Sequence, residues 1–580
     1  MSAKLFFTAG IIVLLITAGF RYASKSGSLR PVSRASVYNH KKIIQCTPDW
    51  SEVNADSLAN GIGVLPGWGE YRWNISTKSD SARFYFNQGI NMYYAFHIIE
   101  SMASFKKAAL FDTTSAMLYW AQALAYGPNI NDYAYAATPE AYAAAQKAAA
   151  LKKSCTPKEK MLIEAMAIRY SADSTISRAS LNQLYANAMK KSFASFKSDA
   201  DIGTLYADAL MLQHPWDYWK HNGDPEPWTP DLLQVLENVI ELHPEHPGAN
   251  HYYIHAVEAS PNSKRAMPSA DRLGTLMPGV SHMIHMPSHI YIRNGKYTKG
   301  ITVNEMSVTG YTNYLSLFPE VQNNIPLYLT HNLHMQTACA MMKANYAYSN
   351  KSAMACRNSF DTSFLSLPAP MGTNVQYWYM TPVFNDVRFG KWDAVLHAEP
   401  VKPQHVYATV LTHWARGMAF AAKHDIASAA AELKLLQAGI NAPDMLVVTE
   451  PFNSPASAAK VAEKILAGVM AEAENDFNKA VAFLTEAVQL EDQLIYNEPR
   501  DWLLPSREYL GNALLKLGNA AEAEKRFKED LAENPDTHWA LYGLRQALLQ
   551  QKKLKEAAII KKQFDKAFEG ADILPGSIVF

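Results

Sequence analysis

Cysteine is scarce in this chain: Cys46, Cys155, Cys339 and Cys356 are the only four in 580 residues, and no two form a CxxC pair. A cysteine-based zinc site in its usual form is thereby excluded. Cys339 and Cys356 leave two readings open, a disulfide in an oxidising compartment or two buried thiols. Net charge is missing as well, with 54 basic against 54 acidic residues. No electrostatic footprint of a nucleic-acid partner is left. Ser/His/Asp order, P-loop, dinucleotide fingerprint and HExxH are all absent, so the common nucleophilic, phosphate-binding and zincin chemistries are not signalled. Strand patterns are few and short, and nothing beyond the first twenty residues is apolar for long enough to span a bilayer.

What is present begins with an uncharged run from Leu5 to Phe20, preceded by Lys4 and followed by Arg21, Lys25 and Arg30. Such a run is short for a spanning helix and suits a signal peptide or an uncleaved anchor. Residues 1–25 are therefore read as that segment. The chain is expected to be exported, periplasmic or membrane-anchored through residues 5–20, with no other membrane contact. Residues 26–80, which include Leu65-Pro66-Gly67-Trp68-Gly69, read as a tether and an irregular packing segment. From Ser81 the pattern is helical almost to the end.

Self-similarity decides the fold class. Gly511, Leu514, Ala523, Phe527 and Pro535 occupy the small and apolar positions of a 34-residue helix–turn–helix repeat, and Ala557 lies 34 residues after Ala523. Gly468, Ala471, Ala480, Leu484 and Ala487 repeat the spacing, as do Gly89, Phe105 and Ala108. The prediction is an all-α solenoid of tetratricopeptide type. A region at 81–400 carries a histidine cluster, and further repeats fill 401–580.

The cluster comprises His251, His255, His282, His285, His289, His331 and His334. His251, His255 and Glu258 share one helix face, as do His282, His285 and His289, while His331 and His334 lie one turn apart. The HxxxH pair recurs at the repeat length, since His285 and His289 follow His251 and His255 by 34 residues. Equivalent positions of stacked repeats face the same way, which places the pairs side by side on the concave surface. Two histidines one turn apart can chelate one ion, and neutral imidazole suits zinc, copper or iron. In an enzyme, a metal-bound water or oxygen species would react, with Glu258 as a base. The competing reading of any single histidine is a hydrogen-bonded core or surface residue.

Other candidates for ligand contact are fewer. His214 lies in an aromatic loop, His214-Pro215-Trp216-Asp217-Tyr218-Trp219, that reads as a pocket wall or as packing between repeats. Asn332 neighbours His331 and reads as an orienting residue or a cap. The segment Glu498-Pro499-Arg500-Asp501-Trp502 through Arg507 breaks the repeat phase, because Ala480 to Ala523 spans 43 residues. Glu498, Trp502 and Arg507 are candidates there, with a Glu498–Arg507 ion pair the simpler structural reading. Asn129, after Gly127-Pro128, reads as a cap or turn residue.

The segments Phe86-Asn87-Gln88-Gly89, Pro247-Gly248-Ala249-Asn250-His251-Tyr252-Tyr253-Ile254-His255-Ala256-Val257-Glu258, His285-Met286-Pro287-Ser288-His289-Ile290-Tyr291, His331-Asn332-Leu333-His334 and Glu498-Pro499 with Trp502, Pro505 and Arg507 together resemble a group of bacterial tetratricopeptide-repeat proteins. The resemblance runs from about Leu65 to about Lys553. It implies the helical-repeat fold and a shared use of these histidine segments. Similar proteins carry Asn-His-Asp-Glu after the position of Phe96. Here His97-Ile98-Ile99-Glu100 keeps only the Glu. The expected function is a transition-metal or small-ligand site in the concave groove. The alternative is a scaffold binding a peptide or protein in the cell envelope.

Overall fold

The computed structural model describes residues 50, 53–131, 139–317, 325–448, 452–573 and 577–579. The N-terminal apolar run and Cys46 lie outside them. No helix among the described residues is long and apolar enough to cross a membrane. These residues belong to one unit, Ile43–Phe580.

Antiparallel helix hairpins follow one another along the chain, and local sequence sets their turns. Ala344, His424, Asn475 and Gly518 each take a left-handed backbone conformation at a hairpin corner. Each is followed at once by a capping residue: Asn345, Asp425, Asp476 and Asn519 accept amide protons with their side chains and start the next helix. The left-handed residue closes one helix and the cap satisfies the first amides of its partner. Phe96 occupies the same corner with φ 59°, but His97 makes no cap bond. Its Nδ1 instead pairs with Glu100 Oε1 at 3.0 Å.

Small residues let the hairpins close, as their spacing predicts. A Cβ on Gly89 would stand 2.5 Å from the Phe105 ring, and one on Gly511 would stand 2.4 Å from Phe527. Gly511→Leu is therefore expected to cost about 1–3 kcal/mol through overpacking. An unchanged urea midpoint would contradict the packing assigned to this repeat.

The apolar core falls into two large clusters, one drawn from Ala55 to Tyr291 and one from Ala338 to Val579. In the first, the superhelix comes round on itself: the Pro247–Val257 helix packs against the Asp80–Tyr94 helix. Gly248 makes this approach possible, since a Cβ there would lie 2.5 Å from the Tyr94 ring. In the second, Trp539 Nε1 donates to the Met341 carbonyl at 2.9 Å. Asp572 accepts the amides of Tyr346 and Ala347 at 2.6 and 2.7 Å. The two halves meet where Arg293 pairs with Glu533 at 3.4 Å.

Of the two readings of the cysteines, the structure shows buried free thiols at Cys155, Cys339 and Cys356. Burial pushes the Cys339 and Cys356 thiols up to about 12, so both are inert at neutral pH.

Candidate metal centre

Four helical segments carry these histidines. His251 and His255 lie on Pro247–Val257, His282 and His285 on Ser281–His285, and His289 on Pro287–Arg293. His331 lies on Ile325–Met342. Pro287, which has no amide proton, interrupts the middle helix. The 34-residue partners His255 and His289 do face each other, with ring centres 5.9 Å apart. His251 instead meets His282, their Nε2 atoms 3.2 Å apart. Five of these six histidines are buried, and His331 is partly exposed.

The nitrogens resolve into two groups of three. Ligand atoms of His251, His255 and His282 lie within 4.8 Å of one another, as do those of His285, His289 and His331. Within the second group, His289 Nε2 is 2.8 Å from His285 Nε2 and 3.4 Å from His331 Nε2. Tetrahedral imidazoles at about 2.0–2.1 Å from an ion stand roughly 3.3 Å apart, close to the wider of these separations.

The opposite ring nitrogens fix the protons. His285 Nδ1 faces Asn304 Oδ1 at 2.6 Å, and the Asn304 amide nitrogen donates to the Gly300 carbonyl. The oxygen is thus the acceptor and His285 Nδ1 the donor. His289 Nδ1 sits 2.7 Å from Glu258 Oε2 and 2.5 Å from Glu498 Oε2. With both Nδ1 atoms engaged, the Nε2 atoms of His285 and His289 face each other at 2.8 Å. Two acceptors at that distance repel unless a cation lies between them. Burial, followed by the neighbouring His331 and His289, drives the His285 imidazole well below its usual range. A metal ion needs neutral imidazoles, which burial supplies.

Glu258 serves both groups: Oε1 meets His255 Nδ1 at 3.0 Å and Oε2 meets His289 Nδ1. Burial first, and then the Glu498 carboxylate, push its carboxyl well above the usual range. Burial acts on Glu498 in the same sense, but His289 and a hydrogen bond from Glu258 outweigh it and hold this carboxyl below the ordinary value. Both groups stand behind His289, a place that suits orientation of the ring.

Glu498 arrives from the distant half of the chain. Its segment is held by Asn453, which bonds Asp501 at 2.7 Å, and by the Tyr377 hydroxyl on the Arg500 carbonyl at 3.1 Å. Trp502 is buried against Trp414 and Phe384, with ring centres 5.0 and 5.4 Å away. It anchors the segment through the core. Arg507 makes a two-point pair with Asp492 at 2.7 and 2.8 Å, so it is not the partner of Glu498.

The remaining candidates are placed as follows. His214 stacks on Trp228 with ring centres 3.6 Å apart. It is Trp216, in a left-handed conformation, that sets its ring 5.0 Å from His255. Asn332 donates to Ser307 Oγ at 2.7 Å, and Ser307 donates to the Ser281 carbonyl at 2.6 Å. It thus ties the His331 helix to the His282 helix. His334 stands apart from both groups, edge-on to Tyr377 at 5.3 Å. Asn129 accepts the Asn131 amide at 2.9 Å within a turn. Phe96, Asn304 and the Tyr94 carbonyl were not signalled by any spacing. Only the left-handed corner at Phe96 belongs to the repeat pattern.

No protein-family profile and no curated protein matches this chain. Among solved structures, the chain is similar to a human IFIT1 dimer with m7Gppp-AAAA, at 10% identity and TM-score 0.30, over 88% of this chain and 94% of that one. It is also similar to yeast Tom70, at 11% identity and TM-score 0.27, over 84% and 93%. The P58(IPK) TPR domain matches at 12% identity and TM-score 0.18, over 64% and 97%. Likenesses this distant carry no inference about function.

Proposed function

We propose that this helical-repeat protein binds a transition metal of the zinc, copper or iron group through His285, His289 and His331. The observation that carries the reading is the 2.8 Å approach of the His285 and His289 Nε2 atoms, each ring with its Nδ1 already engaged. Three neutral imidazoles leave a further coordination position for water or a small ligand. Glu258 and Glu498 act behind His289, fixing its tautomer and raising its basicity. A peptide lying along the surface would not reach the nitrogens of His285 and His289, which are buried.

Metal analysis of purified, untagged protein tests the reading, with zinc, copper and iron each supplied during growth. The expected result is bound metal in the wild type and its loss in a His285→Gln/His331→Gln variant. Metal-free wild type, with a peptide partner released by the same substitutions, would establish the scaffold reading instead. Glu498→Gln is expected to lower metal affinity by about 10–100-fold without unfolding the protein. A chelator-competition titration measures it. Unchanged affinity would remove Glu498 from the site.

A further inference from the structure

We propose that His251, His255 and His282 hold a second transition-metal ion, so that the centre is a pair of three-histidine sites joined through Glu258. The proposal rests on the reading that the first group binds metal, and it is carried by different residues.

His251 Nδ1 donates to the Tyr94 carbonyl at 2.6 Å, an acceptor that cannot donate in return. His251 Nε2 is therefore an acceptor, and it lies 3.2 Å from His282 Nε2. His255 Nδ1 is taken by Glu258 Oε1, and its buried Nε2 has no hydrogen-bond partner. A buried acceptor left unpaired is costly, and an ion would satisfy both nitrogens at once. Ring centres of His255 and His282 fall within 5.0 Å of that of His251. The surroundings are aromatic: Phe96 lies 4.6 Å from His251, Trp216 lies 5.0 Å from His255, and Tyr328 lies 5.1 Å from His282. Such walls exclude water.

The two groups are neighbours. His255 and His289 ring centres are 5.9 Å apart, and those of His282 and His285 are 6.2 Å apart. Glu258 gives one oxygen to each group. Two paramagnetic ions at such spacing would couple magnetically.

The test reconstitutes metal-free full-length protein with Cu2+, removes the excess by gel filtration, and reads both the metal equivalents and the electron paramagnetic resonance spectrum. Wild type is expected to hold two ions and to show a half-field signal from the coupled pair. His251→Gln/His282→Gln should keep one ion and lose the half-field signal, as should His285→Gln/His331→Gln. A wild type with one ion, indifferent to the first substitutions and emptied by the second, would overturn the second site and leave the first standing. Wild type that takes up no ion would end both. The wild-type measurement decides the matter even where a variant fails to fold.

Discussion

His289→Ala is expected to weaken binding of zinc or copper by roughly 10²–10³-fold, the largest effect of any single substitution in the centre. Structural zinc sites bind with about 10–16 kcal/mol spread over four ligands, so one ligand corresponds to about 3 kcal/mol. His289 does more than supply a nitrogen. Its Nε2 stands between His285 and His331, and its Nδ1 receives the two carboxyl groups that join the halves of the chain. Its removal opens one coordination position and leaves Glu258 and Glu498 without their shared donor. Competition with a chromophoric chelator measures the loss, and circular dichroism of the metal-free variant separates it from unfolding. A change below about threefold in a folded variant would remove His289 from the ligand set.

Acidification of the metal-free protein is expected to have the next largest effect. Burial pushes His251 and His334 down to about 3 and His331 down to about 4. In the unfolded chain these groups titrate near about 6.5. Below that pH the unfolded state binds more protons, so their contribution is complete above about pH 6.5 and is lost progressively as the pH falls toward the folded values. At pH 5 each such histidine has given up about 2 kcal/mol. Three together approach the whole net stability of a typical domain, about 5–15 kcal/mol. Urea midpoints should therefore fall steeply between pH 7 and pH 5. A flat profile across that window would show that these rings are already charged or exposed. Bound metal should be released over the same range, because protons compete for the same nitrogens.

Much of this was legible from local spacing. The offset from Gly89 to Phe105 and from Gly511 to Phe527 marks where two helices touch, because contact within a hairpin is set by sequence separation. The 34-residue recurrence of the histidine pairs pointed to the histidine cluster. What spacing did not give is the return of the superhelix. The His251–Tyr94 bond joins residues 157 positions apart, and no period encodes it. Nor did spacing give the neighbour of His251, which is His282 and not the repeat equivalent His285. In the aromatic loop, the left-handed backbone at Trp216 turned that ring, and not His214, toward the cluster. The phase break near Glu498 was visible as an inserted segment. Its destination was not, because the Glu498–His289 contact depends on how the two halves of the chain meet.

The proposed metal centre depends on ions seated among the Nε2 atoms, and anomalous diffraction from crystals of the metal-loaded protein tests this most directly. Data collected on either side of the metal absorption edge are predicted to show a peak about 2.0–2.1 Å from the Nε2 atoms of His285, His289 and His331. Histidines hydrogen-bonded only to water or to one another, with no anomalous peak in metal-supplemented crystals, would contradict it.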